Sequence, residues 1–326
     1  MTAADGRGRL TRLVFAGEAI VDLALRVPAL PPRGGDVLAT SYEVAAGGGF
    51  NVMAAAARHG LPVLYAGGHG TGRWGDVVRA ALAAEGVGLL RPADPDRDTG
   101  FDVALVEPDA ERTFVTHLGA ESLPGPGAWD AVPAGPGDAV YVSGYGLVAP
   151  ESGPVLGRWT AALPPGVLLF VDPGPLAAQI PAAVLGPVLA RCDWLSCNQR
   201  EAGLLAGDSS AACPADPARA ARTLLTRAPR ADVLVRAGAA GCYLALRASD
   251  DPVHVAAPRV TAVDSTGAGD AHSGVFLAAL AEGLLPLDAA ARANAAAAFA
   301  VTRPGPATAP TRPQLDAWLV TQHPAP

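Results

Sequence analysis

The stretch Asp264-Ser265-Thr266-Gly267-Ala268-Gly269-Asp270 runs directly into the apolar segment Ala271–Leu285. This pattern predicts a turn of small residues that enters a helix. The first N–H groups of a helix lack intrahelical partners, and with the positive end of the helix dipole they can hold an anion. Asp270 would lie beside that anion, where a carboxylate can take a proton. An anion site next to a base indicates phosphoryl transfer to a hydroxyl. The alternative is a turn that only brings a helix close to a sheet.

Outside this stretch, short strand-like runs alternate with helical ones for most of the chain. The predicted strands are Leu13–Gly17, Val63–Gly67, Ala139–Ser143, Val167–Asp172, Trp194–Asn198 and Asp232–Ala237. The predicted helices are Asn51–His59, Asp76–Glu85, Pro217–Arg227, Gly269–Glu282 and Leu287–Val301. Such alternation predicts an α/β fold in three layers, a mainly parallel sheet with helices on both faces. Ligands of such sheets bind at the carboxyl ends of the strands.

Two hairpin-like regions interrupt this alternation. Their strand-like segments are Ile20–Val27 with Val37–Val44, and Gly100–Val106 with Arg112–Leu118. We expect them to form a small sheet, inserted at about 18–44 and 98–121 into a single domain covering 1–326, that serves as a lid. If these strands expose an apolar face, two copies of the chain would pair through it as a homodimer.

The composition excludes several classes of protein. The net charge of −7 and the absence of basic runs argue against a nucleic acid partner. Apolar stretches long enough to span a membrane are interrupted, as Gly174–Ala190 is by three prolines. Met1–Arg12 lacks the apolar core of a signal peptide. The four cysteines, Cys192, Cys197, Cys213 and Cys242, show neither zinc spacing nor a disulfide framework, so we expect a cytoplasmic protein with reduced thiols.

All 24 basic side chains are arginine, because the chain contains no lysine. A Walker-type nucleotide site needs a lysine on the phosphates, and a Schiff-base enzyme needs a lysine amine. Both classes are therefore excluded. Phosphate must be held here by backbone N–H groups, arginine or a metal ion.

Gly47-Gly48-Gly49-Phe50-Asn51 leads into the first predicted helix. Consecutive glycines let a ligand approach the backbone, and the Asn51 amide can bind a hydroxyl of a polyol. The alternative is a tight turn with Asn51 as the N-cap of the helix. Asp22 lies in an otherwise apolar strand, so its carboxylate either faces a cleft and accepts sugar hydroxyls or pairs with Arg26 or Arg33.

Asn198 and Glu201 follow another strand and open a helix. Their spacing suits water-mediated binding of Mg²⁺ near nucleotide phosphates, and it equally suits a capping box. The segment Arg236–Gly241 has glycines at 238 and 241 but no helix after it, so it is not a dinucleotide fingerprint. A glycine turn that admits a nucleotide remains open.

Together these motifs resemble the ribokinase-like (PfkB) sugar kinase family over nearly the whole chain. The resemblance rests on motifs that follow one another in the family's order: Ala46–Gly60, Asn198–Glu201, Arg236–Gly241, Asp264–Asp270 and Ala293–Gly305. It implies a ribokinase-like fold and an ATP- and Mg²⁺-dependent kinase whose small-molecule acceptor is a free sugar, sugar acid or nucleoside.

The resemblance also implies roles for individual residues. Asp270 would be the base, and the N–H groups of Gly267, Ala268 and Gly269 would stabilise the transferring phosphoryl group. The acceptor would be bound by Asp22, Gly47, Gly48 and Asn51. The nucleotide and Mg²⁺ would be bound by Asn198, Glu201 (through water), Arg236, Gly238, Gly241 and Asn294. Asp264 and Thr266 would form the monovalent-cation site, for K⁺, that some family members carry.

The chain departs from the family pattern near the acceptor pocket. Gly49 stands where ribose-specific members tend to have lysine, and Arg236 replaces the usual threonine. The strand end Ser143-Gly144-Tyr145 lacks the acid found in ribose-type kinases. A plain ribokinase is therefore not predicted. A phosphorylated acceptor is not predicted either, since no cluster of basic residues marks the sugar motifs; for the nearby Arg33 and Arg112, the expectation is that they are solvated lid residues. The alternative function is a regulator that binds sugar or nucleotide without catalysis.

Overall fold

The structure, a computed structural model, describes residues 9–109, 111–122, 127–207, 216–249 and 251–322. Cys213 and the first eight residues lie outside this part. The strands are β1 Arg12–Ala16, β2 Ala19–Arg26, β3 Ser41–Gly48, β4 Val63–Tyr65, β5 Gly88–Leu89, β6 Phe101–Val106, β7 Arg112–His117, β8 Asp138–Ser143, β9 Leu168–Asp172, β10 Trp194–Asn198, β11 Asp232–Arg236, β12 Cys242–Ala245 and β13 Val253–Val255.

The helices complete a layered α/β arrangement. They are α1 Phe50–Arg58, α2 Arg73–Ala84, α3 Gly144–Val148, α4 Gly153–Ala161, α5 Ala182–Arg191, α6 Gln199–Ala206, α7 Pro217–Arg227, α8 Ala268–Ala281, α9 Pro286–Ala300 and α10 Arg312–Gln322. Every predicted strand and helix is present, with bounds that differ by a few residues. Among the helices, α2 differs most and begins three residues before the predicted start.

The large sheet has the strand order β13-β12-β11-β10-β9-β8-β1-β4-β5. Its neighbours pair in parallel from β11 to β5, and β12 and β13 are added antiparallel at one edge. The predicted mainly parallel sheet is therefore confirmed. The parallel strands all end on the same side of the sheet, and the candidate site forms at these carboxyl ends.

Both faces of this sheet are buried, and β1 shows why. Leu13 and Phe15 belong to one apolar cluster, which includes residues of α1, α8 and α9. Val14 and Ala16 belong to a second cluster, which includes residues of α4 to α7. Because successive side chains of a strand point to opposite faces, a continuous apolar run fills both clusters at once.

Helix α8 is apolar on all sides and almost entirely buried. It packs closely on α1, since a Cβ on Gly274 would meet the Val52 carbonyl oxygen at 2.5 Å and the Ala55 Cβ at 2.7 Å. Only glycine allows this approach. The close packing fixes the first turn of α8, which carries Asp270, against the first turn of α1, which carries Asn51.

The small sheet has the order β3-β2-β6-β7. Its outer hairpins are antiparallel, and β2 and β6 pair in parallel. The prediction for β3 was wrong at both ends, because the strand covers Ser41–Gly48 instead of 37–44. Gly47 and Gly48 are thus the end of a strand, and the chain enters α1 directly after it.

Three helices between the described strands, α3, α4 and α5, were not predicted. Helix α5 contains Gly186 and Pro187, and such residues lower the helix propensity of the segment. Tertiary packing nevertheless buries Val184, Val188 and Leu189. In the described part of the chain, no helix combines the length and the apolar character needed to cross a membrane.

Candidate active site

The turn before α8 has the geometry of an anion site. Gly267 is the N-cap of the helix, with φ of 68° and ψ of 7°, a left-handed conformation that favours glycine. Helix α8 then begins at Ala268. The N–H of Ala268 makes only a long hydrogen bond of 3.3 Å to the Ser265 carbonyl. The N–H groups of this first turn point out of the helix end, with the positive end of the dipole behind them.

Asp270 lies in that first turn and contacts α1. Its Oδ2 accepts a hydrogen bond of 3.1 Å from Asn51 Nδ2. Withdrawal from water raises the pKa of Asp270 to about 6; the charge of Asp172 adds to this shift, while the Asn51 hydrogen bond opposes it. Asn51 is not the N-cap of α1, because Gly49 holds that position and the helix begins at Phe50. The capping alternative for Asn51 was therefore wrong.

Asp22 projects from β2 towards the same cleft. A Cβ at position 47 would overlap the carboxyl atoms of Asp22, so the absence of a side chain on Gly47 leaves room for this group. Neither Arg26 nor Arg33 forms an ion pair with Asp22 among the described residues. The charged side chains that act on it are those of Asp102, Asp270 and Arg112. Burial, followed by the charges of Asp102 and Asp270, raises the pKa of Asp22 to about 8.

A carboxyl group also reaches the strand end where the sequence lacks an acid. Ser143 Oγ, at the end of β8, donates a hydrogen bond of 2.7 Å to Glu18 Oε2. Burial raises the pKa of Glu18 to about 7, opposed by this hydrogen bond. The gap seen in Ser143-Gly144-Tyr145 is thus filled by an acid from the loop between β1 and β2, 125 positions away in the chain.

A second cluster lies beneath the anion turn. Arg236 Nη1 donates to Asp172 Oδ2 at 2.8 Å, and Nη2 lies 3.8 Å from Glu201 Oε2. The guanidinium is close to the turn, since a Cβ on Gly269 would lie 3.4 Å from Arg236 Nε. All three charged side chains are largely buried, and the two carboxylates compensate the charge of the arginine.

Asn198 and Glu201 form a capping box at the start of α6. Asn198 Oδ1 accepts from the Glu201 N–H at 2.9 Å, and Glu201 Oε2 accepts from the Asn198 N–H at 2.7 Å. Asn198 Nδ2 donates to Glu201 Oε1 at 2.7 Å. Both carboxylate oxygens are therefore engaged, which fits contact with Mg²⁺ through water better than direct coordination. No group of three metal-ligating acids, histidines or cysteines occurs among the residues that the structure describes.

The Asp264 carboxylate is engaged by the protein. Oδ1 accepts from Thr266 N–H at 2.7 Å, from Thr266 Oγ1 at 2.6 Å and from Arg112, while Oδ2 accepts from the Gly305 N–H at 3.0 Å. The Arg112 side chain is only 14% exposed, so the prediction that it is a solvated lid residue was wrong. A carboxylate with these donors has its positive partner already, which does not fit side-chain coordination of K⁺.

Three predicted nucleotide residues have different environments. Gly238 is exposed, with φ of 57° and no atom within 4 Å of a hypothetical Cβ. Gly241 has φ of 97°, and a Cβ there would overlap the Val255 carbonyl, so packing on β13 requires glycine. Asn294 is buried: Nδ2 donates to the Val255 carbonyl at 2.8 Å, and Oδ1 lies 3.2 Å from His272 Nε2. Its amide holds β13 on α9.

The structure thus brings together Asp22, Gly47, Asn51, Asp270 and the anion turn. Glu18, Asp102 and Asp172 belong to the same region and were not predicted as site residues. Asp172 could have been found, since it ends a predicted strand at the ligand-binding edge of the sheet. Asp102 could also have been found, since it is an acid in an otherwise apolar strand, as Asp22 is. Glu18 acquires its surroundings through contacts between distant segments, which local sequence patterns do not show.

Comparison with known proteins identifies the family. The sequence model described as "pfkB family carbohydrate kinase" matches residues 10–312. The uncharacterized sugar kinase YegV of Escherichia coli (strain K12) is 33% identical over 305 residues, which cover 93% of this chain and 92% of that protein. Both matches cover nearly the whole length of the chain.

Solved structures share the fold. The structure of Arabidopsis thaliana ribokinase complexed with ribose and ATP has a TM-score of 0.74 at 22% identity, covering 95% of this chain and 99% of that one. Phosphofructokinase-2 from Escherichia coli in complex with potassium has a TM-score of 0.73 at 21% identity, covering 96% and 99%. The predicted ribokinase-like fold, a central mainly parallel sheet with helices and a smaller separate sheet, is confirmed. The chain therefore belongs to the pfkB family of carbohydrate kinases, phosphotransferases that use an alcohol group as acceptor.

Proposed function

We propose that this kinase transfers the γ-phosphoryl group of ATP to a hydroxyl of a free sugar, sugar acid or nucleoside, with Asp270 as the base. The position of Asp270 carries the proposal, because its carboxyl lies in the first turn of α8 beside outward-pointing N–H groups. Asn51 holds Oδ2 at 3.1 Å, and we assign Oδ1 to the proton of the acceptor hydroxyl. A pKa of about 6 makes this group a carboxylate at neutral pH, with a proton affinity suited to a base.

The N–H groups of Gly267, Ala268 and Gly269 stabilise negative charge on the phosphoryl group as it is transferred. The buried guanidinium of Arg236 adds positive potential below this turn, partly compensated by Asp172 and Glu201. This arrangement forms a phosphate site that uses no lysine. Such a site is required because the chain contains no lysine.

ATP and Mg²⁺ are the proposed nucleotide and metal. Asn198 and Glu201 would hold the metal through water, and the exposed Gly238 turn would border the nucleotide together with Gly241. When bound, Mg²⁺ would neutralise charge on the nucleotide phosphates. The side chains of Asp264 and Thr266 are not proposed as K⁺ ligands, because their oxygens are engaged with Arg112 and with each other.

Asp22, Gly47, Gly48 and Asn51 would bind the acceptor. Gly48 has φ of 58°, so the backbone at the end of β3 turns in a way that a larger residue would resist. We further propose that the small sheet acts as the lid of a single kinase domain and excludes water when it closes over the acceptor.

The need for ATP and the three described cysteines, all buried and unpaired, support a cytoplasmic location. The net negative charge supports a small-molecule partner over a nucleic acid. Pairing of two copies through the small sheet stays a prediction, supported by exposed Tyr42 and Val115 on one face of that sheet.

An ADP-release screen tests the proposed function. Pentoses, hexoses, keto-sugar acids and nucleosides are each supplied with ATP and Mg²⁺, and the phosphorylated product is identified by mass spectrometry. We expect acceptor-dependent ADP formation from at least one class. Thermal stabilisation by a sugar without any ADP formation would favour the alternative, a binding protein without catalysis.

A further inference from the structure

Two buried oxygen atoms at the acceptor side of the cleft lack hydrogen-bond partners. They are Asn51 Oδ1 and Asp102 Oδ1, on side chains whose residues are 4% and 8% exposed. The orientation of the Asn51 amide follows from its neighbour, since the Asp270 carboxylate can only accept and therefore faces Nδ2. Both unpartnered atoms are acceptors. A ligand that fits them must supply hydrogen-bond donors.

Asp102 is placed beside Asp22 by the pairing of β6 with β2. The two residues are register partners in parallel strands, so their side chains lie on the same face of the small sheet, about 4.8 Å apart along the hydrogen-bonding direction. On that face, Asp22, Ala24 and Ala104 line a cleft between the small sheet and the Asp264–Thr266 segment. Asp102 lies buried beside Asp22, at the lid side of this cleft.

The two carboxyl groups hold a proton between them at neutral pH. Burial raises the pKa of Asp22 to about 8, and the charge of Asp102 adds to that shift. Burial also raises the pKa of Asp102 to about 6, opposed by its hydrogen bond with Asp22. Because like charges this close do not both ionise readily, the pair acts as one acid and one carboxylate.

The other charged groups around the pair do not favour an anion. Those facing it are Arg26, Glu43, Arg112, Asp264 and Asp270. The charge of Arg112 is taken by Asp264, and both side chains are largely buried. Arg26 is exposed and lies four residues along β2 from Asp22, which corresponds to about 13 Å. No unpaired cation among these groups is close enough to hold a carboxylate or phosphate at the pair.

We propose that Asp102 is a substrate-binding residue, and that the Asp22–Asp102 pair with Asn51 selects an acceptor rich in hydroxyl or amine donors and free of anionic groups. The acceptor is then a neutral or amino-bearing sugar or nucleoside. Sugar acids and sugar phosphates are excluded. Their anionic oxygens can only accept hydrogen bonds, and they would face the hydrogen-bond acceptors and the negative charge of the Asp22–Asp102 pair. This inference rests on the proposed function and narrows its substrate class.

The test compares acceptors that share a sugar or nucleoside framework and differ in the charged group attached to it. One series consists of glucose, glucosamine, glucuronate and glucose 6-phosphate; a second consists of adenosine and uridine with their 5′-monophosphates. Binding is measured by calorimetry without ATP, and kcat/KM is measured for the best acceptor from the ADP-release screen. In each series that binds, we expect the neutral or amino-bearing member to bind roughly tenfold or more tightly than the anionic member.

Asp102→Asn and Asp102→Ala test the residue itself, with Asp251→Asn as control because the Asp251 side chain is 82% exposed. For the best acceptor, we expect KM to rise roughly 10- to 100-fold in both Asp102 variants while kcat changes less than about threefold. In Asp102→Asn, the ratio between the affinities for the neutral and the anionic member of a series should become smaller than in the unmodified enzyme. Thermal melting of each variant checks that it is folded. The alanine variant is included because the asparagine amide could form a new contact of its own.

An anionic best acceptor, or Asp102 variants with the KM of the Asp251→Asn control, would overturn the inference. Phosphorylation of a sugar acid or sugar phosphate would do so while leaving the proposed kinase function intact. Conversely, selective binding of neutral acceptors without ADP formation would support the inference and contradict the proposed function.

Discussion

Replacing Gly47 by alanine displaces the Asp22 carboxyl without changing its chemistry. The added Cβ would overlap Oδ1, Oδ2 and Cγ of Asp22. Because these atoms are the end of a side chain, the carboxyl can swing away, and the backbone of β3 need not move. Gly47 has no positive φ, so alanine brings no backbone strain. The variant therefore separates the position of Asp22 from the stability of the fold.

The magnitude follows from the bonds that Asp22 would lose. Since its pKa of about 8 keeps Asp22 protonated at neutral pH, each bond is one to a neutral group and contributes about 0.5–1.5 kcal/mol, which corresponds to a loss in kcat/KM of roughly 2- to 12-fold per bond. We expect most of this loss in KM for the acceptor, because Asp22 contacts the acceptor and not the phosphoryl group. Overpacking typically costs about 1–3 kcal/mol, and the Asp22 side chain can move to relieve it, so the variant should still fold.

The assay is steady-state ADP release with the best acceptor at saturating ATP, together with urea unfolding. Gly186→Ala is the matched control, since a Cβ there meets no atom within 4 Å. This control should retain the kinetic constants of the unmodified enzyme. If Gly47→Ala retains its KM and kcat within about twofold, the assignment of Asp22 to the acceptor is refuted.

Three further expectations concern the base, the buried arginine and the cation. Since the base works as a carboxylate and its pKa is about 6, kcat/KM should fall about tenfold per pH unit below pH 6 and level off above it. Asp172→Asn removes a charge that raises this pKa and should move the acid limb to lower pH; a limb that stays in place or moves up would contradict the assignment. Arg236→Ala leaves two buried carboxylates without their positive partner, so it should lower the free energy of urea unfolding by about 3–5 kcal/mol. The control is Arg222→Ala, whose ion pair is exposed and whose loss should be less than about 1 kcal/mol. Equal losses would disprove that Arg236 compensates the two buried carboxylates. Because Arg112 already pairs with Asp264, turnover should be the same in potassium chloride and in tetramethylammonium chloride. The Arg112→Ala variant, in contrast, should be stimulated by potassium. A potassium requirement in the unmodified enzyme would be evidence against this pairing.

The sequence predicted the layered α/β fold because its strongest patterns are local. Continuous apolar runs such as Val14 to Ala16 can only be satisfied in a strand buried on both faces. The anion turn was equally readable, since glycine at 267 and an acid at 270 need only their neighbours in the chain. Helix α5 was missed for the same reason, because Gly186 and Pro187 weaken the local pattern while packing decides the outcome.

The acceptor pocket could be predicted only in part. Asp22 and Asn51 stand out as polar residues in apolar or glycine-rich segments, and the structure places both at the cleft. The partners of these residues depend on contacts between distant segments: Asp102 meets Asp22 through strand pairing, and Ser143 meets Glu18 across 125 positions. The pairing of Arg112 with Asp264 spans 152 positions and likewise has no local signature.

The role of Asp270 as the base is tested most directly by the Asp270→Asn variant, in which the rate of phosphoryl transfer is compared with the affinity for ATP. ADP formation is measured with the best acceptor, and ATP affinity is measured by calorimetry without acceptor. Removal of a general base should lower kcat by roughly 10²- to 10⁴-fold. The nucleotide affinity should stay within about threefold, because Asp270 lies at the acceptor side of the anion turn. Turnover by Asp270→Asn at the rate of the unmodified enzyme would contradict the assignment of Asp270 as the base.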